Sequence, residues 1–404
     1  MEAVIFLVGI LILFGILVVP LSRRIGAPIL LIVLATGMFL GEDGPVAIQF
    51  NDYSSAYALG SVALAIILFA GGLETEVYKT RGARMPAVLL ATFGVLITAV
   101  VVGVFATRVI GMPLEVGLLL GAVVASTDAA ATFLLIQQSG VGISNRLKNT
   151  LILESGLNDP VAIFLTFMLT ALVDAGAKVS TESLLGSLPL LANQIGFGLT
   201  LGVAGGWVSA ALIDRITLPQ GLYPPLSLVC GLIVYSGTAL TGGSGFLAVY
   251  ICGLIIAYRA KRPIERILHF NEGLQWLSQI LLFLMLGLLV TPSNLVSKLP
   301  QALLLAAALI FVARPIAVLV CAAPFGFRIK ETIFLGWVGL RGAVPIFLAI
   351  VPVITPGPVT VDFFNIVFVV VVASLLLQGS TISHVARLLG LVPPTPKDDP
   401  RGHA

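Results

Sequence analysis

Three stretches of this 404-residue chain place oxygen ligands and charges inside otherwise apolar sequence. The first runs Leu153-Glu154-Ser155-Gly156-Leu157-Asn158-Asp159-Pro160. Glu154 and Asn158 are four residues apart, and so are Ser155 and Asp159. On a helix this spacing gathers a carboxylate, a hydroxyl, an amide and a second carboxylate on one face. Hard oxygen ligands of that kind suit a monovalent cation such as Na+ or K+. Pro160 lacks an N–H and so frees the carbonyl of Gly156 as a further ligand. The second stretch, Ala125-Ser126-Thr127-Asp128-Ala129, strings together poor helix formers that compete for backbone groups. The third, Gly339-Leu340-Arg341-Gly342-Ala343-Val344-Pro345, sets two glycines and a proline around an arginine and favours a break in the helix. A polar seam that merely packs helices together is the plainer reading, but such a seam does not need two carboxylates.

The elements that must hold these groups are membrane spans. The chain is 58% hydrophobic and only 10% charged, whereas a soluble domain carries roughly 25% charged residues. A surface so poor in charge has lipid as its solvent. A span takes about 20 mostly apolar residues, and thirteen candidates are centred near residues 11, 33, 66, 96, 124, 160, 200, 231, 251, 280, 310, 341 and 375. Alternate loops then hold seventeen Lys/Arg against three, Arg108, Lys178 and Lys298. The positive-inside rule puts the N-terminus outside and the C-terminus in the cytoplasm of a cell inner (plasma) membrane. The transmembrane region covers 1–392, and the short polar tail 393–404 reads as disordered. No cleavable signal peptide is expected, because the first apolar run lacks a basic flank. Cys230, Cys252 and Cys321 sit singly in apolar runs and read as small core residues.

Six ionisable residues fall within the spans: Glu74, Asp128, Glu154, Asp159, Arg314 and Arg341. Each costs a few kcal/mol at the bilayer centre on insertion scales. Four acids against two bases leave two carboxylates without an arginine, and those must hold a proton or a cation when dehydrated. Glu154 and Arg314 are the expected structural ion pair, and Arg341 is expected to balance a helix dipole at a break. Glu74 closes the third span, at the mouth of the ion path or at the membrane interface. Aligning Gly121 with Gly336 pairs Ser126 with Arg341 at an offset of 215, and the sixth and thirteenth span centres are 215 apart as well. Matching breaks at a constant offset point to internal repeats, about 3–173 and 222–389 around a linker helix of about 186–214, with the site where the broken helices cross. Seven spans of offset, an odd number, make the repeats inverted.

With these segments in this order, the chain resembles the NhaP-type monovalent cation:proton antiporters, bacterial relatives of the animal sodium/proton exchangers, from Arg23 to Gln378. Its wording is similar to members described as potassium/proton antiporters, while Glu74 is similar to the sodium-type members. The resemblance implies an all-α membrane fold of about thirteen helices, inverted repeats with two crossing broken helices, a homodimer, and an elevator-like motion of a core domain. It gives Asp159 the ion- and proton-carrying role and draws the cation shell from Thr127, Asp128, Ser155 and Asn158, with Glu74 near it in some members. It pairs Glu154 with Arg314 and associates Asn158-Asp159 with electroneutral one-for-one exchange. Many relatives carry proline where this chain has Ala129, and the potassium/proton members usually continue into a cytoplasmic regulatory domain, whereas the sequence here stops soon after Pro396.

The mechanism that follows is competition. A carboxylate that holds either H+ or a cation exchanges one for the other, and an empty ionised core cannot cross the membrane. No cofactor, nucleic-acid partner or enzymatic activity is expected. Three rivals use overlapping residues. A cation channel needs a filter-like loop, and none is visible. A neutral-metabolite carrier leaves the surplus carboxylates unexplained. A rhomboid-like intramembrane serine protease would use Gly242-Gly243-Ser244-Gly245, but a serine nucleophile needs a histidine base within reach, and His269, His384 and His403 all lie away from mid-membrane.

Overall fold

The computed structural model describes residues 29–75, 82–128, 143–177, 181–261 and 264–391, together with Glu2, Phe6, Gly9, Ile10, residues 12–17, Thr132 and Ile136. The tail 393–404, Ala129 and much of the first expected span lie outside the described residues. What is described is helical, with no strand. The helices are α1 (Ile29–Leu40), α2 (Tyr53–Glu74), α3 (Arg84–Ile110), α4 (Leu114–Val123), α5 (Asn145–Asp174), α6 (Thr181–Arg215) and α7 (Tyr223–Leu240). They continue as α8 (Gly245–Arg259), α9 (Glu265–Leu288), α10 (Leu299–Phe325), α11 (Ile329–Trp337), α12 (Ala343–Ile354) and α13 (Val361–Leu388). Each expected span from the second onward holds one of these helices, with α11 and α12 as the two parts of the twelfth. By length and composition, seven described helices are apolar enough to cross a membrane, and four more are apolar but shorter. The short ones include α4 and α12, which stop at the Ser-Thr-Asp and Gly-Arg-Gly segments rather than running through the span.

Local chemistry sets several boundaries. Asp52 caps α2: its carboxylate accepts from the Ser55 hydroxyl and the Ser55 N–H, and both bonds hold this carboxyl below its ordinary range. Ser144 and Ser244 cap α5 and α8 by accepting from the N–H three residues on. Gly111 closes α3 at φ 81°, a left-handed conformation that glycine adopts without strain. Inside α3 and α10 the winding loosens to π-helix at Leu90–Gly94, Ala106–Ile110 and Leu309–Ala313, a feature frequent near functional sites.

The helices pack as two groups. One holds α1, α2, α6, α7, α8 and α9, with α8 lying against α2 and α6, and α9 against α1 and α2. The other holds α3, α4, α5, α10, α11, α12 and α13, in which α3 packs on α4, α5 and α10, and α13 on α10 and α12. Lipid gives no hydrophobic push between helices, so close contact depends on small residues. One close approach in the first group is between Gly37 of α1 and Gly287 of α9: a Cβ on Gly37 would stand 2.9 Å from the Gly287 Cα. Gly37→Val therefore wedges α1 off α9, and overpacking of this kind costs about 1–3 kcal/mol. Thermal unfolding in detergent should show the loss for Gly37→Val and not for Gly237→Val, whose surroundings are open.

Candidate functional site

The two breaks lie against each other. α4 ends at Val123 and the chain runs on without helix through Ser126, Thr127 and Asp128. α11 ends at Trp337, and α12 starts only at Ala343. Between them the Asp128 N–H donates to the Leu340 carbonyl at 2.8 Å. The Arg341 guanidinium donates through Nη1 to the carbonyls of Ala125 at 2.5 Å and Ser126 at 2.7 Å. These carbonyls follow the C-terminal end of α4, where the helix dipole is negative. A Cβ on Gly342 would overlap the Asp128 side chain, so only glycine permits this approach. From α13, Ser374 accepts the Arg341 N–H at 3.2 Å and donates to Gln378 at 2.6 Å, and Gln378 donates to the Trp337 carbonyl at 2.7 Å. Arg341 thus donates to backbone carbonyls, which a broken helix exposes and an intact one does not.

α5 runs past this crossing as one continuous helix, with Pro160 inside it. Ser155 donates to the Thr127 carbonyl at 2.7 Å, and the Asn158 amide donates to the Thr127 hydroxyl at 2.7 Å. Asp159, 7% exposed, accepts from the Ser126 hydroxyl. Asn158 Oδ1 is buried and has no hydrogen-bond partner. Thr127, Asp128, Ser155, Asn158 and Asp159 thus come together where α5 meets the first break. One turn earlier, Glu154 takes Arg314 of α10 in a buried, two-pronged ion pair, with Nη2 to Oε2 at 3.0 Å. Gly339 packs directly on the Arg314 side chain, so this pair braces the second break from behind and does not line the cavity described next.

A cavity of about 370 Å³ separates the two helix groups. One wall carries Ser126, Thr127, Asp128, Ser155 and Asp159; the other carries Tyr250 of α8 and Gln275, Trp276 and Gln279 of α9. Glu74, Lys148 and Glu272 also line it and are exposed, which places them at its mouth. Glu74 therefore shares the cavity with Asp159 but not its buried end. The Tyr250 ring lies against Gly156, and its hydroxyl is 3.4 Å from that of Thr75. Sequence reasoning named neither Ser126 as a partner of Asp159 nor any group of the second wall; the only available signal was two glutamines four apart, Gln275 and Gln279, in an apolar span. Ser244 is occupied as a helix cap, accepting the Leu247 N–H, and His269 is exposed beside Glu272 at 3.7 Å.

Residues 9–388 match the family described as "Sodium/hydrogen exchanger, transmembrane". The chain belongs to the sodium/hydrogen exchanger family. This is a family of multi-pass membrane transporters rather than enzymes, and neither the protease nor the channel reading is favoured by it. Among this exchanger's relatives is the "K(+)/H(+) antiporter NhaP2" of Shewanella baltica, 45% identical over 97% of this chain and 68% of the relative's length. The "Na(+)/H(+) antiporter ApNhaP" of Aphanothece halophytica is 29% identical over 92% of this chain and 71% of its own. The solved structure of the sodium proton antiporter MjNhaP1 from Methanocaldococcus jannaschii superimposes with a TM-score of 0.83, covering 96% of this chain and 100% of that one at 24% identity. That likeness establishes for the exchanger the all-helical antiporter fold.

Proposed function

We propose that this exchanger moves a monovalent cation, K+ or Na+, in one direction and a proton in the other, with Asp159 carrying each in turn. The observation that carries the reading is Asp159 itself: a buried carboxylate at the end of a cavity, whose hydrogen-bond partner is a neutral hydroxyl. Arg314 is engaged by Glu154 and Arg341 by two carbonyls. A buried carboxylate left ionised is costly, so the stable states of Asp159 are protonated or cation-bound. Thr127, Asp128, Ser155 and Asn158 supply oxygens for the cation, and Glu74 gathers cations at the mouth. The relatives' names divide between potassium and sodium, and both ions are candidates.

The two helix groups act as a scaffold and a moving core, the core carrying the crossed breaks past the scaffold in an elevator motion. α3 and α10 begin and end 215 residues apart and both contain π-helical turns, which supports inverted repeats of about 3–173 and 222–389 around the linker helix 186–214. Exposed apolar residues along α6, among them Leu188, Phe197 and Trp207, suit a homodimer in the inner (plasma) membrane. The basic loops orient it with the N-terminus outside and the C-terminus in the cytoplasm.

The test is exchange in liposomes that hold a pH dye. After a proton gradient is imposed, KCl, NaCl or LiCl should collapse it, and clamping the voltage with potassium and valinomycin should leave the rate unchanged. No response to any cation across a range of pH would overturn the proposal. Asn158→Asp adds a second titratable group beside Asp159, and its exchange should become sensitive to the same clamp; an insensitive variant would remove Asn158 from the control of stoichiometry.

A further inference from the structure

Three buried glutamines sit in the described helices, and only one of them is tied down. Gln378 donates to the Trp337 carbonyl and accepts from Ser374. Gln275 and Gln279, 9% and 6% exposed, make no side-chain hydrogen bond to any described residue. Buried polar side chains nearly always find a partner, and where the protein offers none the amide must turn to water or an ion in the cavity it lines. Many hydroxyls elsewhere in these helices donate to the carbonyl four residues back, as Thr36, Ser61, Thr98 and Thr166 do. Gln275 and Gln279 are one helical turn apart on α9, share a face, and both line the cavity. Across that cavity stand Asp128, Ser155 and Asp159, on the other helix group.

We infer that Gln275 and Gln279 form a second cation station, on the scaffold wall, whose amide oxygens replace part of the water shell of a monovalent cation on its way to Asp159. The chemistry of an amide suits the task. Its oxygen is a hard, neutral ligand of the kind that holds such cations, and its N–H2 turns toward water when no ion is there. A carboxylate at the same place would compete with Asp159 and trap the ion, whereas a neutral oxygen binds weakly enough to hand it on. The two glutamines therefore set how strongly a cation is drawn from water, and Asp159 sets whether it is exchanged for a proton. This assignment rests on the exchange proposed above.

The test titrates KCl and NaCl against wild type, Gln275→Met, Gln279→Met and the double variant in liposomes, methionine being nearly isosteric with glutamine. The double variant should raise the apparent KM for the transported cation about tenfold, equivalent to about 1.4 kcal/mol. Its rate at saturating cation and its pH profile should stay close to wild type. Its melting temperature in detergent should also stay close to wild type, since methionine nearly matches glutamine in volume and no side-chain bond to a described residue is lost. If the variant keeps the wild-type KM within about twofold while the wild type exchanges cations, the glutamines are lining only and the inference fails alone. If the wild type exchanges no cation, the inference fails together with the proposed function.

Discussion

Asp159→Asn should leave cation-driven proton exchange at the level of empty liposomes. Asparagine has nearly the same shape, and its side-chain oxygen still accepts the Ser126 hydroxyl that the carboxylate now accepts. The helices around it therefore have no reason to separate, and the melting temperature in detergent should match that of the wild type. What is lost is the ability to alternate. The amide takes no proton and carries no charge to trade for a cation. A second readout separates lost binding from a slowed step: the wild type should melt later as cation is added, by the usual mass-action stabilisation, and Asp159→Asn should not. Exchange near wild-type rates in this variant would take the carrier role away from Asp159.

Arg314→Ala should be the most destabilising single change in the chain. It leaves Glu154, 1% exposed, as a buried charge whose ion-pair partner is gone, and breaking a buried pair from one side typically costs about 3–5 kcal/mol. The cost spreads beyond the pair, because Arg314 also packs on Gly339 and donates to the Leu335 carbonyl at 3.4 Å. Glu154→Leu should be similarly damaging. The double variant Glu154→Leu/Arg314→Met should recover much of the loss, since apolar residues of similar volume replace both charges. Yield and thermal unfolding of the three variants and wild type form a cycle that isolates the pairing. Single variants as stable as wild type would show that the pair contributes nothing to holding α5 against α10.

The spans were legible because lipid imposes a single, simple demand on composition, and because Gly, Pro and consecutive Ser-Thr-Asp mark the places where a helix stops. The one-face spacing of Glu154, Ser155, Asn158 and Asp159 was legible for the same geometric reason. What each of them touches was not. Helical periodicity fixes neighbours along one element, but Ser126 reaches Asp159 and Arg341 reaches Ala125 only after separate spans have crossed. For Arg341 the helix break suggested a dipole partner, but not which carbonyls it would reach, since those belong to the other break. Gln275 and Gln279 were passed over because a neutral amide in an apolar run reads as packing until the absence of a partner is seen. The π-helical segments leave no mark in residue type, since one extra residue in a turn is decided by neighbouring helices.

The bonds from Arg341 to Ser126 and from Asp128 to Leu340 have a hereditary consequence. They join residues more than two hundred positions apart, from opposite halves of the chain, with Gly342 fitted against Asp128. Neither segment can drift in sequence by itself: a bulkier residue or a one-residue insertion in one is tolerated only if the other has already changed to receive it. A chimera that takes one half from this chain and the other from a distant cousin should therefore inherit a mismatched seam, and restoring it should require importing 125–128 and 339–342 as a set.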